Sequence, residues 1–168
     1  MNSESAATWI ERLQLERHIE GGWYREVYKS RTTININGET GTERSICTHI
    51  FFLLEKNDFS TLHRIRSDES WHFYAGAPLT VYEFEPAGNL IQHRLGNHPS
   101  IGCIPYCNIR SGNWFGARID AEGSYSLVGC TVSPGFEFTD LELAKAEDLT
   151  QQFPEHETLI KSMCRKTM

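Results

Sequence analysis

What the chain lacks narrows it first. No apolar run approaches the roughly 20 residues that a membrane-crossing helix requires. The opening MNSESAATWIERLQLERH has no basic segment followed by an apolar one, so neither a membrane anchor nor a cleaved leader is expected. There is no block of like charge and no stripe of lysine and arginine: 16 basic against 22 acidic residues leave a formal charge of −6, which argues against nucleic acid as a partner. Cysteine is sparse and odd in number, five in all, which speaks against a disulfide framework and for reduced thiols in the cytoplasm. Cys103 and Cys107 lie near His98, but no second pair at zinc-finger spacing follows, and Cys130 alternates with Val128 and Val132 as a packed thiol. Gly21-Gly22 fits neither phosphate-loop pattern and reads as a turn. No repeat, low-complexity tract or linker interrupts the 168 residues, so a single domain over residues 1–168 is predicted.

What is there is mostly β pattern. Residues 3–16 carry Ala6, Ile10, Leu13 and Leu15 at helical spacing, with Ser3 or Ser5 as a cap, and two glycines end the segment. WYREVYKS and RTTININ then alternate up to an Asn37-Gly38 turn, as a hairpin or two neighbouring strands. SICTHIFFLL, residues 45–54, is the most apolar stretch and reads as a buried core strand. Further strands are predicted at 79–84, 90–95, 105–109, 114–119 and 126–132, separated by turn clusters such as Pro86-Ala87-Gly88-Asn89, Ser111-Gly112-Asn113 and Glu122-Gly123-Ser124. Helix formers return in 140–152 and, after Pro154, in 155–163. The expected fold is mainly β, an antiparallel barrel or double-sheet jelly roll, with helices at both termini packed outside.

Chemistry concentrates in FSTLHRIRSDESWHFYAGAPL, residues 59–79. Alternation puts His63 and Ile65 on one face of a strand and Arg64 and Arg66 on the other; Ser67-Asp68 turns into a second strand, residues 70–74. His63 beside Glu69 or Asp68 makes an acid–base site, because an imidazole exchanges protons near neutral pH. Arg25, Arg64 or His72 would steady a developing oxyanion and Tyr74 would return a proton. Each reading has a structural competitor: His63 as a satisfied strand-end histidine, His72 and Tyr74 as one face of an ordinary strand, and Glu69 as turn acidity. Trp23, Trp71 and Trp114 are core aromatics, or with Tyr24 and Tyr74 a stacking platform for a ligand.

The same stretch resembles the first cupin motif, G-x5-H-x-H-x3,4-E-x6-G. His63, Glu69 and Gly76 match it, whereas Asn57 and Ile65 stand where a glycine and the second histidine belong. The second motif, P-x-G-x2-H, keeps only Gly112, with Phe115 at the histidine position. HIEGGWYREVYKS, STLHRIRSDESWHFYAGAPL, SGNWFGA and SLVGCTVSPGFEF, in that order from His18 to Glu142, resemble the fifth cupin family, a domain of unknown function.

The resemblance implies a cupin jelly-roll barrel that pairs as a homodimer and is similar in fold to sugar epimerases, isomerases and plant storage proteins. It carries no proven reaction. In cupin-fold epimerases a histidine base and a tyrosine acid act across the barrel, and His63 with Tyr74 is similar in residue type. A divalent metal would need His63 and Glu69 together with His72 or His49 arriving from another register; no cofactor is required otherwise.

The expected activity is proton transfer on a small polar metabolite, a sugar or nucleotide sugar, as an isomerase or epimerase. His63, Glu69, His72 and Tyr74 are the catalytic candidates, and Trp23, Arg25, Arg64, Trp71, Trp114 and Phe115 are the ligand-binding ones. The alternative is a metabolite-binding or sensing module that does no chemistry.

Overall fold

Two antiparallel sheets face each other across one core in the computed structural model, which describes residues 4–36, 43–120 and 124–165. The expected Asn37-Gly38 turn and most of the Glu122-Gly123-Ser124 turn lie outside the described residues. In chain order the strands are β1 (Glu16–Arg17), β2 (Trp23–Lys29), β3 (Thr33–Asn35), β4 (Glu43–Ser45), β5 (Thr48–Glu55), β6 (Phe59–Arg64), β7 (Asp68–Gly76), β8 (Leu79–Phe84), β9 (Leu90–Leu95), β10 (Tyr106–Ile109), β11 (Trp114–Ile119), β12 (Tyr125–Ser133) and β13 (Glu142–Leu143). One sheet runs β1-β2-β5-β12-β7-β10 and the other β13-β6-β11-β8-β9, a double-sheet jelly roll as expected. No helix among the described residues is long and apolar enough to cross a membrane.

Alternation decides which side chains meet between the sheets. From β5, Phe52 and Leu54 turn inward to Trp71 of β7, Val128 and Cys130 of β12, and Val81, Phe115 and Ala117 of the facing sheet, all at most 1 % exposed. Leu53, on the other face of β5, is buried instead beneath helix α1 (Ala6–Leu13) with Leu15, Tyr125 and Leu127. Ser5 caps α1 by accepting the Thr8 N–H at 3.1 Å. Helices α2 (Ala146–Gln152) and α3 (Glu157–Met163) cover the outer face of the five-stranded sheet, where Leu149, Phe153, Ile160 and Met163 pack on Leu62, Tyr82 and Phe84.

Local pattern misplaces three details. β2 pairs with β5 rather than with β3, whose partner is β4, so WYREVYKS and RTTININ form no hairpin with each other. The helix expected from residue 140 begins at Ala146, because Asp140 is held by Arg44 and Glu142–Leu143 adds an edge strand to β6. The strand expected through Arg66 ends at Arg64, and Asp68, expected in the turn, opens β7.

Candidate functional site

The polar centre begins at the HIEGG turn. Gly21 and Gly22 both adopt positive φ, and a Cβ on Gly21 would stand 2.2 Å from the Phe59 carbonyl oxygen, so only glycine lets this turn lie flat against β6. The turn is tied down from outside the barrel. Asp58 accepts the Gly22 N–H at 3.0 Å and pairs with Arg17 and Arg165, while Thr61 donates its N–H to the Glu20 carbonyl at 2.9 Å. Glu20 is thereby directed inward, 7 % exposed, and meets the imidazole of His63, which is 2 % exposed.

The geometry fixes the proton count of that pair. His63 donates Nδ1–H to the Thr61 carbonyl at 2.7 Å, so Nε2 carries a lone pair towards Glu20 Oε2, 3.2 Å away. Two lone pairs repel, and one proton must sit between carboxyl and ring. Burial favours the neutral forms on both sides: it lowers His63 to about 4 and raises Glu20 above the ordinary carboxyl range. Ser60 Oγ donates to the other Glu20 oxygen at 3.2 Å, and His18 Nδ1 lies 3.6 Å from the first. Burial, more than the opposing field of Glu20, pushes His18 down as well.

Glu69 reaches the same space from β7, on the facing sheet. Burial, assisted by the nearby Glu20, lifts its carboxyl to about 8, and its polar neighbour is the Cys130 thiol. These groups line a cavity of about 210 Å³ with Glu26, Thr48, Ile50, Ile65, Val132, Tyr24, Phe136 and Phe138. Larger grooves lie elsewhere, one beside Arg44, Arg64 and Arg66 and one beside Arg94 and Arg118, but their walls hold no histidine.

The other expected residues stand apart. His72 and Tyr74 emerge on the outer face of the six-stranded sheet, where Tyr74 contacts His49 at 3.2 Å and Thr131 contacts His72 at 3.3 Å. Period-two alternation opposes His72 to Glu69, and Tyr74 sits at a bulge between the Phe73–Val128 and Ala75–Leu127 pairs. Four catalytic candidates therefore reduce to two, His63 and Glu69, that share a cavity.

None of the expected ligand-binding residues lines it. Trp71 and Phe115 are core, 1 % exposed, because their inward faces meet other aromatics; Phe115 does flank the site, its ring centroid 4.1 Å from that of His63. Trp23 donates to Glu55 and lies under Arg17, and Arg25 binds the end of α1 through the Leu13 carbonyl. Arg64 pairs with Glu142 and stacks on Trp114 outside the barrel.

A divalent metal does not fit this donor set. Ile65 and Phe115 stand at two ligand positions of the motifs, both nitrogens of His63 are engaged, and His72 faces away. Among the described residues no three His, Cys, Asp or Glu side chains are arranged to hold a metal ion. Glu20 and His18 were missed because HIEGG reads locally as a helix break; the signal within reach was an acid and a histidine directly before two glycines in a block of the family resemblance.

Residues 7–144 match the family described as Cupin superfamily (DUF985). The chain belongs to that family. Among solved structures, a hypothetical protein from Leishmania major is 34 % identical with a TM-score of 0.90, over 97 % of this chain and 100 % of that one. A protein from Shewanella oneidensis is 37 % identical, TM-score 0.87, over 98 % and 99 %. Oxalate decarboxylase from Bacillus subtilis shares the cupin fold alone, at 14 % identity and a TM-score of 0.55, over 89 % of this chain and 38 % of that one. No functionally curated protein matches the chain.

Proposed function

We propose that this cupin is a proton-transfer enzyme of the isomerase or epimerase kind, acting on a monosaccharide-sized polar molecule held in the His63 cavity. The observation that carries the reading is the buried Glu20–His63 pair, 3.2 Å apart on the wall of a cavity that opens to solvent. Such a pair holds one proton between two sites and can take up or release another as a substrate C–H bond beside a carbonyl breaks and re-forms. The aliphatic and aromatic wall residues, Ile50, Ile65, Val132, Phe136 and Phe138, lower the local dielectric and so strengthen each electrostatic contact with a substrate.

Size supports a small substrate. A cavity of about 210 Å³ falls below the roughly 300–1,000 Å³ typical of drug-sized sites. A sugar ring matches it, and the nucleotide of a nucleotide sugar would remain outside.

The test is solvent exchange. The protein is incubated in D2O with aldoses, ketoses and amino sugars, and deuterium uptake beside the carbonyl is followed by NMR. Wild type is expected to exchange at least one of them, and His63→Ala or Glu20→Gln to slow the exchange about 10²–10⁴-fold without loss of the folded state. Full exchange in His63→Ala would remove His63 from the mechanism. Saturable binding with no exchange at all would replace the reading with a metabolite-binding module.

A further inference from the structure

We infer that the part of the ligand held in this cavity carries positive charge: an ammonium group on a monosaccharide-sized polyol, seated against Glu69. The inference rests on the proposed proton-transfer site and adds the class of substrate it takes. The cavity wall holds three carboxyl groups, Glu20, Glu26 and Glu69, and two histidines, with no lysine or arginine.

Elsewhere in the molecule, buried or half-buried acids are matched by a cation or by several donors. Asp140 has Arg44, Asp58 has Arg17 and Arg165, and Asp120 has Arg94. Glu83 receives His93, Asn113 and the Arg110 N–H. Within the cavity Glu20 has Ser60 and His63. Glu69, only 7 % exposed, is the exception: among the described residues its hydrogen-bond partner is the Cys130 thiol, a weak donor, and no nitrogen or hydroxyl donates to it. A buried carboxyl matched only by a thiol has hydrogen-bonding capacity to spare for a stronger donor.

The rim supplies a second, independent pointer. Tyr24, Phe136 and Phe138 also line the cavity, and Phe138 is 56 % exposed at its mouth, held by Phe136 at 5.2 Å and by a stacked His18 at 5.8 Å. Ring faces attract ammonium groups and offer nothing to carboxylates or phosphates. Two buried acids, with the exposed Glu26 beside them and aromatic rings on the same wall, therefore disfavour the anionic substrates that an arginine-lined site would take. Glu69 must release its proton to solvent as the ammonium seats, and pairing two buried charges carries a desolvation penalty, so the gain is expected mainly in selectivity between ligands.

Isothermal titration of the full chain at neutral pH tests this with glucosamine, galactosamine and mannosamine against their parent sugars and the matching uronic acids. At least one amino sugar should bind tenfold or more tighter than its parent, and uronic acids should give no heat. Glu69→Gln should bring the amino sugar down to the level of its parent, while Glu142→Gln, an acid outside the cavity, should leave the preference intact. A parent sugar or uronic acid that binds as well as the amine, an unaltered preference in Glu69→Gln, or no binding by any amino sugar would overturn the inference. Deuterium exchange on neutral sugars without amine preference would overturn the charge assignment and leave proton transfer standing. Amine-selective binding without exchange would do the reverse.

Discussion

At the scale of single residues, burial favours the uncharged forms of the ionisable groups on the cavity wall. Glu69 binds its proton up to about pH 8 in the folded chain, against an ordinary value of 4.5. The stability this contributes is complete below about pH 4.5 and is lost as pH rises through 8, since the unfolded chain releases the proton first. Glu69→Gln has no proton to lose. Its stability relative to wild type should therefore increase across that window, by an amount on the order of a few kcal/mol, measured by urea unfolding at a series of pH values. A constant difference between the two proteins would show that Glu69 is not held neutral. His63 acts in the opposite sense: lowered from 6.5 to about 4, it contributes stability that is full above pH 6.5 and lost as pH falls through 4. That acid limb should persist unchanged in Glu69→Gln.

At the scale of elements, β6 and the chain's C-terminal end form the mount for the Glu20–His63 pair. Thr61 is the node: its carbonyl receives the His63 proton, its N–H holds the Glu20 carbonyl, and its hydroxyl donates to the Met163 carbonyl at 2.8 Å and accepts the Arg165 N–H at 3.2 Å. Arg165 also reaches the Phe59 carbonyl at 3.1 Å, so it positions without touching the cavity. Arg165→Ala is expected to slow deuterium exchange about tenfold, the size of one lost charge-assisted hydrogen bond in geometry control, and to move the acid limb of the pH profile with little change in melting temperature. An unmoved profile would make Arg165 a purely structural tie. This mount is invisible in local pattern, because its partners are from forty to more than a hundred residues apart. The alternation within β6 and β7 was legible, and it correctly set His63 with Ile65 and opposed His72 to Glu69.

At the scale of the whole molecule, the outer face of the six-stranded sheet leaves Tyr28, Tyr74 and Tyr106 about half exposed beside the His49–Thr131–His72 contacts. A second copy of the chain is the partner the family resemblance implies. Light scattering should give twice the monomer mass, and a monomer at micromolar concentration would contradict it. The jelly roll itself was readable from short alternating strands at regular intervals, since each needs one buried face and turns recur between them.

By itself, the sequence determined the β architecture, the inward face of β6 and the mismatch with a metal-binding motif, because each depends on side-chain type at fixed spacing along a strand. Only the tertiary structure decided that Glu20 and His18, rather than His72 and Tyr74, share a cavity with His63. That choice depends on a glycine turn packed on a strand some forty residues later, and contacts across that distance in the chain leave no period for a linear reading to find.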